Sequence, residues 1–256
     1  MNARKLAYLN ALEIDVWQRR EGGPEAAPPS VDSVTPIEVE PAPAPAGLEN
    51  GAPAVAAGDL LSSDVSALSW NELESRVRGC TLCPLHVSRT QAVFGVGDRQ
   101  ADWMVIGEAP GADEDRQGEP FVGRAGQLLN SMLKAVGFKR EQVFIANILK
   151  SRPPNNRDPR PEEVRACIPY LFRQIELVDP KLILCVGRIA AQTLLETDTP
   201  IGKLRGKLHH IAGGRPMVVT YHPAYLLRSP VEKRRAWSDL MLAVRTYEAL
   251  GGKINS

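Results

Sequence analysis

Three polar side chains of complementary chemistry each fall at the end of an apolar run. Glu108 comes just after Trp103-Met104-Val105-Ile106. Asn147 closes Val143-Phe144-Ile145-Ala146, and His222 follows Met217-Val218-Val219-Thr220. A carboxylate can orient or activate a water. An amide carries a donor and an acceptor that match the edge of a planar base. An imidazole can hold charge developing on a leaving group's oxygen. Phe121 adds a face on which a base can stack. Together these parts suit hydrolysis of an N-glycosidic bond to a nucleobase, and a nucleotide-binding or esterase-like site could use them too. Each residue also has a plainer explanation. Asn147 could be a strand-end turn residue, and His222 could be held by the adjacent Pro223 turn. Glu108 could belong to a solvated acidic turn, where a helix N-terminus favours carboxylates anyway.

The elements that must position them can be read from the same runs. Continuous apolar stretches of four or five residues, here including Leu182-Ile183-Leu184-Cys185-Val186, suit strands covered on both faces. Helical patterns fit between them: Leu128 to Val136 closed by Gly137, Pro161 to Val178, Arg188 to Leu195 and Glu232 to Leu250. Pro161 suits a first helical turn. Alternating strands and helices predict an α/β fold, three layers αβα, around a central, mostly parallel four-stranded sheet. In such a sheet the carboxyl ends of the strands share one edge, where ligands bind. Glu108, Asn147 and His222 are therefore expected to converge on one crevice, with Phe121 beside it. The loop between Gly107 and Leu129 organises the chain. Gly107 and Gly111 permit close backbone approach, Pro110 ends the strand, and Glu108, Asp113, Glu114, Asp115 and Glu119 crowd into it. Gly213-Gly214 is expected to turn a hairpin that brings in the last strand, with His209 and His210 on it as plain structural residues.

Two segments point to a polyanion. Lys150-Ser151-Arg152-Pro153-Pro154-Asn155-Asn156-Arg157 is a basic, proline-stiffened loop beside Asn147. Lys150, Arg152, Asn156 and Arg157 are its expected DNA contacts. Leu226-Leu227-Arg228 after His222 could be a wedge that props open a base stack, or equally one turn of core packing. The net charge of +1 conceals an asymmetry: the first 65 residues carry four basic and ten acidic side chains, the remainder 27 and 20. A basic globular part behind an acidic tail fits the same partner.

Residues 1-20 read as a short amphipathic helix with Leu6, Leu9, Leu12 and Trp17 as apolar points, a possible partner-docking element. Residues 21-59 are rich in Pro and Ala and poor in large apolar side chains, the composition of a disordered linker. The folded domain is placed at 60-256. No apolar run is long enough to span a bilayer and the N-terminus lacks a secretory core, so a soluble cytoplasmic protein is expected. In that setting the four cysteines, Cys80, Cys83, Cys167 and Cys185, are better suited to metal or free thiols than to disulfides.

Taken together, Gly107-Glu108-Ala109-Pro110-Gly111 through Leu129, Asn147 with Arg152-Pro153-Pro154, and His222-Pro223-Ala224-Tyr225-Leu226-Leu227 resemble the family 4, iron–sulfur uracil-DNA glycosylases. The resemblance runs from about Leu73 to Leu250 and excludes the first seventy or so residues. It implies that Glu108 handles the catalytic water and that the backbone at Ala109 and Pro110 touches uracil. It also implies that Glu114 lies near the base and excludes others, Phe121 stacks on uracil, Asn147 reads its edge and His222 stabilises the uracilate. Leu226, Leu227 and Arg228 would fill the emptied stack. The implied reaction is hydrolysis of flipped deoxyuridine in DNA to free uracil and an abasic site, the first step of base excision repair. No lysine is placed for a Schiff base. The Arg157-Asp158-Pro159-Arg160 region lacks the histidine loop of a related branch that bonds covalently to DNA. The family holds a 4Fe-4S cluster with four cysteines. Cys80, Cys83 and Cys167 match three of them, and Ser151 stands at the remaining position, leaving Ser151, Cys185 or His86 as a fourth ligand. Zinc on Cys80, Cys83, His86 and Cys167, or no metal, are the alternatives.

A monomeric, monofunctional glycosylase acting on uracil-containing DNA, without a membrane, is the first reading. The second is a non-catalytic or altered-specificity DNA-binding relative tethered to replication or repair machinery by its N-terminal helix; Ser151 and the added tail motivate it. The third, a nucleotide-processing enzyme on a similar scaffold, would need a phosphate-cradling glycine loop, and Gly187-Arg188-Ile189-Ala190 is too short a signal for one.

Overall fold

In the computed structural model, residues 65–254 are described. The expected N-terminal helix and linker lie outside them. Helix α1 (Trp70–Arg78) starts at Ser69, whose backbone N–H and hydroxyl both donate to Glu72, as in a capping box. A short helix α2 (Leu85–Ser88) follows, then β1 (Val96–Gly97) and β2 (Trp103–Gly107). Helices α3 (Ala112–Gln117) and α4 (Arg124–Ala135) precede β3 (Phe144–Asn147), and α5 (Pro161–Val178) leads to β4 (Leu182–Val186). The chain closes with α6 (Arg188–Leu194), α7 (Ile201–Leu204), β5 (Leu208–His210), β6 (Pro216–Thr220), α8 (Pro223–Arg228) and α9 (Lys233–Ala249).

The sheet has six strands in the order β1-β3-β2-β4-β6-β5. Its four central strands are parallel, as expected. The expectation of four strands is corrected at the edges, where β1 and β5 pair antiparallel with β3 and β6. Those edge strands are two and three residues long, too short to carry an apolar pattern. β5 is the outer arm of the hairpin turned at Gly213-Gly214, so His209 and His210 sit on an edge strand.

Every residue of β2, β3 and β4 is buried, which explains why they read as unbroken apolar runs. One face packs Leu129, Met132 and Leu133 of α4 and Leu240, Ala243 and Tyr247 of α9 onto Trp103, Val105 and Leu184. The other packs Cys167, Leu171 and Ile175 of α5 onto Ile106, Ala146 and Cys185. Helices on both faces leave the carboxyl edge of the parallel strands as the open side. β2 and β3 end in register, Gly107 beside Asn147. Among the described residues no helix is long and apolar enough to cross a membrane.

Candidate active site

A cavity of about 380 Å³ opens at that edge, large enough for a base with its sugar. Glu108, Ala109, Pro110, Phe121, Asn147 and His222 all line it. The predicted convergence is thus present, and the register of β2 with β3 sets its floor. A Cβ on Gly107 would stand 2.5 Å from Asn147 Oδ1 and 2.6 Å from Phe121 Cζ. Only glycine lets the amide and the ring meet there.

Asn147 is buried, and its Oδ1 has no hydrogen-bond partner. Buried acceptors are nearly always paired, so an unpaired one on a residue that lines a cavity marks where a donor is missing. His222 caps α8: its Nδ1 accepts from the Ala224 N–H at 3.1 Å. That bond puts the ring proton on Nε2. Burial first, and the Arg228 charge second, pull the imidazole down to about 4. At neutral pH it is an uncharged donor. Its ring stacks on Phe121 at 5.5 Å. Burial, followed by the charge of Asp158 and opposed by Arg188, pushes the Glu108 carboxyl up to about 7. A carboxyl poised there can take a proton near neutrality. Asp158 and Arg188 form an ion pair at 2.8 Å; they stand 50 and 80 positions from Glu108 in the sequence, so their influence on it left no local signal.

The Phe121 segment is gripped from two sides. The N–H groups of Val122 and Gly123 donate to Glu114 Oε1 at 2.9 and 3.2 Å, and that of Gly111 donates to Oε2 at 3.1 Å. The Arg140 guanidinium donates to the carbonyls of Pro120 and Phe121 at 2.5 and 3.2 Å, and to Asn130 Oδ1 at 3.2 Å. Between the two, Phe121 holds φ at 55°, a conformation that costs a bulky L-residue about 1–2 kcal/mol. Glu114 does line the cavity, but its oxygens serve the loop's backbone rather than a base. Arg140 was missed in the sequence, because its partners are main-chain carbonyls that every sequence possesses.

Several expected DNA contacts are placed differently. Lys150 is 2% exposed and corrects the expectation of a surface cation. Its Nζ donates inward, to Asn147 O at 2.9 Å and Gln174 Oε1 at 2.6 Å, so it steadies the end of β3. Arg157 lines the cavity, yet its guanidinium forms a two-pronged pair with the buried Glu163. Arg152 Nε donates to Asn156 Oδ1 at 2.8 Å, which folds their loop back on itself. Leu226 is 1% exposed and belongs to the core, and Leu227 packs partly buried against it. This corrects the expected leucine wedge at position 226: the core-packing alternative holds. Arg228 does reach the cavity rim.

The cysteine corner matches its expected cofactor in part. The thiols of Cys83 and Cys167 hydrogen-bond to each other. Cys80 Sγ accepts from Tyr170 Oη at 3.4 Å, and Tyr170 lies one turn along α5 from Cys167. The fourth position does not match. Ser151 Oγ accepts from the Arg89 guanidinium at 2.8 Å, and His86 Nδ1 is engaged at 2.7 Å with Cys83 O. Cys185 lies within β4, where burial alone raises its thiol. Among the described residues no group of three or more His, Cys, Asp or Glu side chains is arranged to hold a metal ion.

An open parallel sheet with a base-sized pocket at its carboxyl edge, floored by an amide and walled by a Phe, a His and a Glu, defines a class of nucleobase-handling α/β proteins. The profile of the Uracil DNA glycosylase superfamily matches residues 94–241, and this chain belongs to that superfamily. A type-4 uracil-DNA glycosylase of Archaeoglobus fulgidus is 45% identical over 178 residues, which span 67% of this chain and 89% of that protein. Its counterpart in Pyrobaculum aerophilum is 44% identical over 182 residues, 68% of this chain and 93% of that protein. A third, from Thermotoga maritima, is 44% identical over 158 residues, 61% and 82% respectively.

Proposed function

We propose that this chain is a monofunctional uracil-DNA glycosylase that hydrolyses the N-glycosidic bond of deoxyuridine in DNA. The observation that carries the reading is the buried, unpaired Oδ1 of Asn147, a residue that lines the cavity together with Phe121 and His222. Uracil presents an N3–H donor to such an acceptor. Cytosine presents a lone pair at that atom and would leave the acceptor unmet, which costs about 1–3 kcal/mol. The type-4 uracil-DNA glycosylases to which it is similar support the same activity.

In this reading the flipped base lies against Phe121 with its edge on Asn147. Glu108, in its carboxylate form, orients a water toward C1′ and takes its proton. As the water oxygen bonds to C1′, the C1′–N1 bond breaks and its electron pair leaves with uracil. The Nε2–H of the neutral His222 donates to the uracil oxygen on which that charge collects. Water excluded by the enclosed floor strengthens this bond. Free uracil and an abasic site result. Arg228 at the rim would meet the phosphodiester chain.

For the cysteine corner we propose a structural iron–sulfur cluster on Cys80, Cys83 and Cys167. The contact of Cys83 with Cys167, and the bond from Tyr170 on the same helix to Cys80, support it, and Ser151 takes no part while Arg89 holds its hydroxyl. No step of the reaction runs through it. The test of the main reading is excision from a labelled oligonucleotide containing one uracil, read as strand scission after alkali, for wild type beside His222→Ala under single-turnover conditions. Cleavage at uracil that collapses in the variant is expected. A wild type that binds the DNA and cleaves nothing would overturn the proposal and leave the DNA-binding, non-catalytic reading.

A further inference from the structure

Six large apolar side chains are exposed among the described residues: Leu82, Val87, Leu208, Tyr225, Val231 and Leu250. Of these, Tyr225 alone lines the cavity, with 37% of its surface exposed. It stands on α8 three residues past His222 and three before Arg228. About 100° of helical turn separates it from Leu226, which is buried in the core, while Tyr225 itself lines the cavity.

The ring is also backed. Tyr225 lies on Tyr221 with ring centroids 5.1 Å apart. Behind Tyr221 the Arg205 guanidinium sits 5.3 Å from its ring centroid. Arg205 is in turn fixed by two bonds, at 2.9 and 2.7 Å, to the fully buried Asp239, which also accepts from Thr220 Oγ1. The result is a chain of contacts, carboxylate to guanidinium to ring to ring, that ends on a ring lining the cavity. Thr220 ends β6, so these contacts and His222 are mounted on the same strand end.

We infer that Tyr225 is the side chain that enters the duplex where the target nucleotide leaves, its ring stacking on a flanking base. An aromatic ring suits this work, because every base offers a face and the two χ angles of tyrosine cost little to immobilise. The inference rests on the glycosylase reading and assigns to it the contact that the buried Leu226 does not make. Its signature is a dependence on strandedness. A base in a single strand is already free, whereas in a duplex the enzyme must replace the lost stacking.

The experiment compares single-turnover excision from single-stranded and duplex oligonucleotides carrying the same single uracil, for wild type, Tyr225→Ala and Tyr225→Phe. Tyr225→Ala is expected to lose about tenfold or more on the duplex and less than about twofold on the single strand, since only the duplex requires unstacking. Tyr225→Phe should stay close to wild type on both. Equal losses of Tyr225→Ala on both substrates would make the ring a mere pocket wall and overturn the inference, as would no loss on either. Thermal unfolding of each variant guards against a folding defect. A wild type silent on both substrates fails the glycosylase reading itself, a result distinct from an unaltered strand ratio.

Discussion

Replacing Arg140 with alanine tests whether the Phe121 platform is held or merely present. The guanidinium donates to two successive carbonyls, Pro120 and Phe121, and so pins a phenylalanine at φ 55°. A hydrogen bond from a charged donor is worth about 1.5–3 kcal/mol. Arg140 is only partly buried, and the freed carbonyls can rehydrate, so the net loss is set at about 2 kcal/mol for the pair. The left-handed backbone of Phe121 opposes the assembled state by about 1 kcal/mol, so the loop has somewhere better to go once released. A shift of 2 kcal/mol changes the population of the competent loop by about thirtyfold. Excision at limiting enzyme should fall by up to that factor, while the fold survives with a modest drop in melting temperature. Arg140→Lys should recover only part, because a single ammonium cannot reproduce the planar fork over both carbonyls and Asn130. The decisive assay is a double-mutant cycle with Phe121→Ala. If Arg140 acts through the ring, the double variant will be little worse than Phe121→Ala alone. Losses that multiply, or an Arg140→Ala enzyme within about threefold of wild type, refute the clamp.

The remaining predictions are briefer. Excision rate should rise with pH through about 7 as Glu108 ionises and then level off; His222, neutral above about 4, adds no second limb between pH 5 and 7. Asp158→Asn removes a charge that raises the Glu108 carboxyl and should move that midpoint down, whereas Arg188→Gln should move it up; a midpoint unmoved by both would discard Glu108 as the titrating group. Gly107→Ala sets a methyl within 2.6 Å of both Asn147 Oδ1 and Phe121 Cζ and should cost at least about 100-fold in excision with circular dichroism unchanged. Iron and acid-labile sulfide should accompany the purified protein and be lost in Cys83→Ser; zinc in their place would assign the zinc set, and neither would leave the thiols as packing groups.

The strands carried most of what could be read beforehand. β2, β3 and β4 are covered on both faces, so their sequences are unbroken apolar runs, and the position of each run's end located Glu108, Asn147 and His222. Phe121 was legible for a similar reason, as a large aromatic stranded between glycines. What escaped depends on phase or on distance. Leu226 and Tyr225 are neighbours on a six-residue helix, and nothing in so short an apolar turn tells which side meets the core. Lys150 stands in a run of basic residues and reads as surface, until Gln174, from helix α5, supplies a buried partner. Arg140 binds carbonyls nineteen and twenty positions away, and no side-chain pattern records that. The edge strands were too brief to register at all.

Those edge strands bear on how the molecule behaves at high concentration. A long flat strand at the margin of a sheet offers a row of open amides on which a second molecule can add its own strand, the route to fibrils and swapped dimers. Here the four parallel strands, the most apolar stretches among the described residues, are enclosed between a ladder of two residues and a ladder of three. A neighbour therefore finds too few open amides at either margin to start a cross-β stack. The same brevity that hid β1 and β5 from sequence patterns leaves little room for strand addition at the margins of this sheet while its carboxyl edge stays open.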